Sequence, residues 1–252
     1  MSEKKRLFVD MDGTLAEFKV VDSYERLYEQ HYYERLRPNE NVVEAVSNII
    51  LEHPEIEVYI LSSVLADSKY SLSEKQDWLR KYLPECPEEN WIFPPCGSCK
   101  KDHVPNGIGS DDYLLDDYSL KLSFWDPPAK GIKLLNGING NNGTWDKISS
   151  ERNGSSVSSF NKSEILAEKI CRIINDNVQI FDIRPQELNK LYDDFLAQVP
   201  SAEMPKDLND HQSRAAVREY INTLCKGRNI TDGMQEIIEK LQQSLMSMDE
   251  VF

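Results

Sequence analysis

The 252-residue sequence lacks any apolar run long enough to cross a membrane, since a span takes about 20 consecutive apolar residues. It also lacks an excess of basic side chains, because 43 acidic residues outnumber 29 basic ones and give a net charge of −14. Proteins that bind a nucleic-acid polymer through its phosphates need a basic face, so this composition argues against that class. A small phosphorylated ligand is still compatible, because it needs only local cations or a metal.

Cysteine is also scarce, and the odd number of five is unlike the paired cysteines of a disulfide scaffold. Residues 1–9 pass from charged side chains into a strand-like run, without the apolar core or cleavage site of a signal peptide. From these absences we expect a cytoplasmic protein in a reducing compartment, without membrane contact. The oligomeric state is left open, a homo-oligomer included.

Three short apolar runs in the first 150 residues end in polar clusters, and helical patterns separate them. The runs are Arg6–Val9, Glu57–Leu61 and Tyr113–Leu115. Apolar residues at helical spacing occupy Val42–Ile50 and, more weakly, Leu72–Tyr82. Strands that alternate with helices in this way predict an α/β fold with a doubly wound parallel sheet. In such sheets the chemistry lies at the carboxyl ends of the strands.

The composition changes near residue 150. Residues 149–160 are rich in serine, glycine and asparagine and predict a linker. Four helical patterns follow, around 165–174, 188–196, 211–225 and 231–246. We therefore divide the chain into an α/β domain, residues 1–150, and a linker with a helical C-terminal extension, residues 151–252. The extension shows no chemistry, so a chain that ends near Ser150 is expected to keep any activity.

Carboxylates cluster where two of the predicted strands end. Asp10 and Asp12 follow the first strand at i and i+2, and Gly13 permits a sharp turn directly after them. Asp116 and Asp117 follow the third apolar run in the same way. Burying like charges this close is costly unless a cation lies beside them. An acidic, oxygen-rich site of this kind suits Mg²⁺.

These motifs resemble those of the haloacid dehalogenase (HAD) superfamily of phosphotransferases. The run FVDMDGTL, Phe8–Leu15, is similar to its first motif. Ser62, at the end of the second strand, is similar to its second motif, and Asp116-Asp117 to its fourth. The resemblance covers residues 1–150 and implies a HAD-like, Rossmann-like fold with a small cap insertion, within about 15–55.

Further segments resemble one branch of that superfamily, the 5′(3′)-deoxyribonucleotidases. They are Ser62-Ser63, Glu74-Lys75-x-x-Trp78-Leu79 with Tyr82, Leu114–Tyr118 and, in bacterial relatives, Gly131–Gly137. Two features differ from that branch. Val64 stands where the branch has proline, and the cap insertion is shorter. Because the cap governs what fits over the phosphate, the resemblance bears on phosphatase chemistry more than on nucleotide specificity.

The resemblance implies a role for each motif residue. Asp10 is the nucleophile that forms an aspartyl-phosphate, and Asp12 acts as general acid and then general base. Mg²⁺ is held by Asp10, by the carbonyl of Asp12 and by Asp116, while Asp117 supports the metal shell. Ser62 and a third-motif lysine hold the phosphoryl oxygens during transfer.

The lysines and the ligand contacts are assigned less directly. The third-motif lysine is Lys100, with Lys101 as the alternative, while Lys75 and Ser63 contact the substrate. Phe18 lies just after the first motif and is the candidate for contact with a base, which can stack on aromatic rings. Most of the neighbouring tyrosines are expected to pack a small helix against the core; they are Tyr24, Tyr28, Tyr32 and Tyr33.

The combined prediction is a Mg²⁺-dependent phosphoric monoester hydrolase, most consistent with a 5′-nucleotidase that acts on (deoxy)ribonucleoside monophosphates. The same chemistry on another small phosphomonoester is one alternative. A HAD-fold binding protein without turnover, using its helical extension as an interface, is another. Zinc at Cys86, Cys96, Cys99 and His103 is a weaker interpretation than free thiols, because only one CxxC pair is present.

Overall fold

A parallel β-sheet forms the centre of the molecule. The computed structural model describes residues 4–18, 21–137, 154–199, 204–208, 210–227 and 230–249. Within them, the strands are β1 (Lys5–Val9), β2 (Ile56–Leu61), β3 (Trp91–Ile92), β4 (Asp112–Asp116), β5 (Lys130–Leu135) and β6 (Ser155–Ser158). They lie in the order β3-β2-β1-β4-β5-β6, and every neighbouring pair is parallel. The three predicted strands are confirmed as β1, β2 and β4.

Helices occupy the connections and the C-terminal part of the chain. They are α1 (Glu40–Glu52), α2 (Ser71–Tyr82), α3 (Ser119–Ser123), α4 (Ser163–Asn175), α5 (Pro185–Leu196), α6 (His211–Gly227) and α7 (Asp232–Asp249). All six predicted helical patterns are confirmed, and α3 is an addition. The described helices include none that is both long enough and apolar enough to cross a bilayer.

The sheet is buried on both faces because successive side chains of a strand point to opposite sides. In β1, Leu7 and Val9 enter the large hydrophobic cluster that also takes in α1, α2 and α4. Phe8 points the other way and packs with Leu114 and Trp125. The result is an α/β arrangement consistent with a doubly wound, Rossmann-like sheet.

The division predicted near residue 150 does not match the packing. The linker prediction for 149–160 is wrong for residues 155–158, which form β6 and pair in parallel with β5. The following helix, α4, packs against α1, and its Leu166 and Ile170 belong to the sheet core. The sequence SSVS has only one apolar side chain, so its burial in the sheet could not be read from hydropathy. Residues 149–153 lie outside the described residues.

A second hydrophobic cluster is built by α5, α6 and α7. Its buried members include Leu188, Phe195, Val217, Ile221 and Leu241. The helical extension therefore has its own core, but that core begins after α4 rather than at residue 151.

Part of the range predicted for the cap belongs to the sheet core instead. α1 lies inside the range of about 15–55, yet it packs into the sheet core and is no part of a cap. Between the first motif and α1, residues 21–39 contain a single 3₁₀ helix, Tyr24–Tyr28. We call residues 21–39 the insertion segment.

Candidate active site

The acidic residues meet because β1 and β4 are neighbours. Val9 is in register with Leu115, and the Asp10 amide donates to the Leu115 carbonyl at 2.9 Å. Asp10 and Asp116 therefore leave the sheet side by side. Oxygens of Asp10, Asp116 and Asp117 all lie within 4.8 Å of one another, and all three residues are buried. This group could hold a metal ion.

Lys100 lies between two of these carboxylates. Its Nζ donates to Asp10 Oδ1 at 2.7 Å and to Asp116 Oδ2 at 2.6 Å. It starts a 3₁₀ helix, Lys100–His103, and is almost completely buried. The alternative, Lys101, instead pairs with Asp126 near the surface. The structure thus separates two adjacent lysines that the sequence could not separate.

Carboxylate charge is only partly compensated at this site. Burial raises the pKa of Asp116 despite the attraction of Lys100. Burial, reinforced by the charges of Asp116 and Asp10, raises the pKa of Asp117 to about 7. Burial alone would lower the pKa of the Lys100 ammonium, but Asp10 and Asp116 together raise it. Lys100 and, beside Asp117, the buried Lys133 offset part of this charge, and a bound cation would offset more.

Lys75 connects Asp12 to the residues that follow β2. Its Nζ donates to Asp12 Oδ2 at 2.5 Å, to Ser62 Oγ at 3.0 Å and to the Ser63 carbonyl at 2.6 Å. The Lys75 side chain is fully buried. Among the described residues, Asp12 Oδ1 and Ser63 Oγ have no hydrogen-bond partner although both atoms are buried. Asp12 and Ser63 both line the cavity described below.

Gly13 is required for the close approach of the two acidic motifs. Its φ of +84° lies in the left-handed region that favours glycine. A Cβ built at this position would lie 2.4 Å from Asp117 Oδ2, so a side chain would displace that carboxylate. Asn136 completes the junction, since its Nδ2 donates to the Gly13 carbonyl at 2.6 Å and to Asp117 Oδ2 at 2.9 Å.

Sequence reasoning missed two contributors from β5. Asn136 directly follows this strand, and Lys133 within it donates from a buried ammonium to the Asp117 carbonyl oxygen. The available signal is weak, because Ile132, Leu134 and Leu135 are followed by the polar Asn136. Lys130 and Lys133 break the apolar pattern, so hydropathy alone does not predict this strand.

A cavity of about 310 Å³ opens beside these groups. Asp10, Asp12, Lys100, Asp116 and Asp117 line its polar side. The remaining wall is largely apolar and includes Phe18, Leu27, Tyr33, Val64 and Tyr118. Ser63 also lines the cavity. Lys75 is buried and reaches Asp12, and the buried Ser62 contacts Lys75. A mostly apolar cavity with converging polar groups is the usual form of a small-molecule site.

The tyrosines of the insertion segment divide into two pairs. Tyr33 is buried and Tyr32 packs partly against the core, as expected. The same expectation is wrong for Tyr24 and Tyr28, because the 3₁₀ helix that carries them buries no residue. Tyr24 is 81% exposed, and Tyr28 instead donates from its hydroxyl to Asp67 at 3.0 Å.

No cysteine or histidine cluster supports the zinc interpretation. In the part of the chain that the structure describes, the three aspartates form the only group of His, Cys, Asp or Glu placed to hold a metal ion. Cys86 is buried, and the thiols of Cys96 and Cys99 are free. Free thiols, the preferred interpretation, agree with this arrangement.

Comparison with protein-family models gave no match, and no curated protein matches the chain by sequence. What this site does is therefore inferred from its own residues.

Proposed function

We propose that the protein is a Mg²⁺-dependent phosphomonoester hydrolase of the HAD type that works through an aspartyl-phosphate. The observation that carries the proposal is the convergence of Asp10, Asp116 and Asp117 around Lys100 at the carboxyl ends of adjacent parallel strands. In open α/β sheets this edge is where ligands bind. The DxDGT motif that begins at Asp10 supports the same assignment.

The donor set fits Mg²⁺. Asp10, Asp116 and Asp117 offer buried oxygens within 4.8 Å of one another, and hard oxygen ligands are those that Mg²⁺ prefers. The resemblance adds the carbonyl oxygen of Asp12 as a further ligand. When bound, the ion would offset the repulsion between these carboxylates and an incoming phosphate.

Asp10 and Asp12 would divide the chemistry between them. A carboxylate oxygen of Asp10 attacks phosphorus, forming the acyl-phosphate bond as the bond to the leaving alkoxide breaks. Asp12 donates its proton to that alkoxide and then takes a proton from the water that hydrolyses the aspartyl-phosphate. Asp12 lines the cavity, beside the space that the leaving group would occupy.

The remaining polar groups would position the phosphoryl group. Lys100 holds Asp10 in place through its 2.7 Å contact. Ser63 lines the cavity and would contact a phosphoryl oxygen, while the buried Lys75, which also contacts Ser62, would position Asp12. Phosphoryl transfer depends mainly on such positioning and charge stabilisation.

We propose a nucleoside monophosphate as the substrate, which makes the protein a 5′-nucleotidase. Support comes from the apolar wall that faces the acidic groups, where Phe18, Tyr33 and Tyr118 offer aromatic surface for a base. Another small phosphomonoester is the alternative, since the insertion segment is short.

A substrate panel tests both levels of the proposal. Release of phosphate from p-nitrophenyl phosphate with Mg²⁺, abolished by chelation, is expected if the protein is a phosphatase. At least one deoxynucleoside monophosphate should be hydrolysed more efficiently than simple sugar phosphates. Equal or better rates with sugar phosphates would remove the nucleotide assignment and leave the phosphatase. A protein inert towards every phosphomonoester would contradict both.

A further inference from the structure

Helix α2 holds the insertion segment through residues that have no role in the proposed chemistry. Glu74 is buried, with 7% of its surface exposed. Its Oε1 accepts the backbone N–H of His31 at 2.5 Å, and its Oε2 accepts that of Tyr33 at 3.1 Å. Both oxygens of a buried carboxylate are thus used by two backbone amides of the insertion segment.

Two further features show that this contact fixes the segment. His31 has a φ of 68°, in the left-handed region that is uncommon for residues with a side chain, and the Glu74 contact to its amide helps to hold this conformation. One turn further along α2, Trp78 donates from its Nε1 to the Leu36 carbonyl at 2.8 Å. Glu74 and Trp78 lie at i and i+4, hence on one face of the helix. Both therefore hydrogen-bond to backbone groups of the insertion segment.

The held segment forms part of the cavity. Tyr33, whose amide is bound by Glu74, lines the cavity, and its ring centroid lies 5.0 Å from Lys75 Nζ. Leu27, from the same segment, lines the cavity too. Glu74 is therefore connected to the ligand space through Tyr33, although Glu74 itself does not line that space.

We propose that Glu74 is a positioning residue that fixes the insertion segment over the cavity and thereby sets the affinity for the substrate. This inference rests on the proposed phosphatase function. Displacing the segment removes the wall formed by Tyr33 and Leu27, while Asp10 and Lys100 stay in place because the sheet and the 3₁₀ helix carry them. The effect should therefore fall on KM and leave kcat nearly unchanged.

The test replaces Glu74 by glutamine, which puts an amide donor against one of the two backbone N–H donors. Asp77→Asn is the matched control, because Asp77 is exposed on the same helix and contacts only Arg80 among the described side chains. Two quantities are measured in the full-length protein. They are hydrogen exchange of the His31 and Tyr33 amides, and KM and kcat for a nucleoside monophosphate with Mg²⁺.

We expect Glu74→Gln to speed exchange at both amides. KM should rise at least about fivefold, while kcat stays within about threefold of the wild-type value. The reason is that a smaller fraction of the protein molecules has the segment in the position that binds substrate. Asp77→Asn should change neither quantity. Glu74→Asp keeps both acceptor oxygens at shorter reach and should fall between wild type and Glu74→Gln. If Glu74→Gln does not fold, the same measurements on Glu74→Asp test the proposal.

Unchanged exchange, or faster exchange with an unchanged KM, would overturn the proposal. A fall in kcat at constant KM would also overturn it, because that pattern reports a smaller folded fraction. If the wild-type protein hydrolyses no phosphomonoester, the proposed function fails separately. The positioning of the segment by Glu74 is then supported by faster exchange and contradicted by unchanged exchange.

Discussion

The sheet region and the helical region of this protein bury charge in different ways. In the helical region, Asp249 accepts from Arg214 at 2.8 Å and lies 3.3 Å from Arg218, so the buried carboxylate is surrounded by guanidinium groups. At the edge of the sheet, three buried carboxylates converge and Lys100 bridges two of them. In the helical region the buried carboxylate lies against guanidinium groups, whereas at the sheet buried carboxylates lie against one another, and burial together with their repulsion raises the pKa of Asp117.

The two arrangements suit different roles, since one stabilises the fold and the other belongs to the candidate active site. Taking a charge out of water is expensive wherever it happens, and a partner within the chain offsets much of that cost. The arginine–aspartate group has such partners and joins α6 to α7. Asp10, Asp116 and Asp117 lie close to one another and adjoin a cavity, so a bound cation would offset their mutual repulsion. Perturbed carboxylates in a cleft are typical of functional sites.

Of the changes considered, truncating the chain at residue 150 should have the largest effect, because it removes part of the sheet region together with the helical region. A chain ending at residue 150 lacks β6 and α4, which bury Val157, Leu166 and Ile170 completely. We therefore expect it not to fold, contrary to the expectation from sequence that it keeps activity. A chain ending at Ile183 keeps these elements and should retain metal-dependent turnover. Circular dichroism and a p-nitrophenyl phosphate assay distinguish the two; an active chain of 150 residues would show that β6 is dispensable.

Asp10→Asn should abolish most of the chemistry while leaving the helical region intact. The variant loses the nucleophile and a metal ligand together, so turnover should fall at least about 10³-fold. Rapid quenching should then detect no phosphate on the protein. Asp102→Asn, an exposed aspartate in the 3₁₀ helix that carries Lys100, serves as the control and should keep its turnover. Near-normal activity of Asp10→Asn would contradict the assigned role.

Asp12→Asn should slow turnover by about 10²–10⁴-fold, the usual range for losing a general acid and base. The defect should shrink for p-nitrophenyl phosphate, because its leaving group needs no protonation. Hydrolysis of the intermediate then limits the rate, so aspartyl-phosphate should accumulate, as rapid quenching would show. Phosphate found on Ser62 instead of Asp10 would show that the roles are assigned wrongly.

Lys100→Ala and Lys101→Ala form a matched pair of adjacent residues. Lys100 contacts two buried carboxylates, so its loss should cost on the order of 10²–10³-fold in kcat, as for other preorganised charge-stabilising groups. Lys101 pairs with Asp126 near the surface, and its loss should leave kcat nearly unchanged. Equal effects in steady-state kinetics would argue against the arrangement around Asp10.

Arg214→Met tests the helical side of the comparison and should have the smallest effect on turnover. Removing this guanidinium leaves Asp249 buried with a single cationic neighbour, a change that typically costs about 3–5 kcal/mol of stability. Urea unfolding should show the loss, while kcat measured on the folded protein stays at the wild-type value. Lys240→Met, in an exposed pair on α7, is the control and should unfold like the wild type. A large fall in kcat for Arg214→Met would show that the helical region takes part in the site.

Strands could be predicted only where at least three apolar residues follow one another and a polar cluster comes next. β1 has Leu7–Val9, β2 has Val58–Leu61 and β4 has Tyr113–Leu115. β5 carries two lysines, and β6 is mostly serine. Their place in the sheet therefore depends on backbone hydrogen bonds to the neighbouring strands and on burial by the surrounding elements. β3 has only two residues, Trp91 and Ile92, too few to show a pattern.

The sequence by itself determined the α/β class, the six helical patterns and the acidic groups at Asp10, Asp12, Asp116 and Asp117. Each of these depends on near neighbours in the chain, since periodicity and a strand end are local properties. Tertiary structure alone decided that Lys100 rather than Lys101 meets Asp10, that Asn136 joins Gly13 to Asp117, and that Glu74 holds the insertion segment. Lys100 reaches Asp10 across 90 positions, Asn136 reaches Gly13 across 123, and Glu74 reaches Tyr33 across 41. Such contacts exist only once the strands and helices have packed.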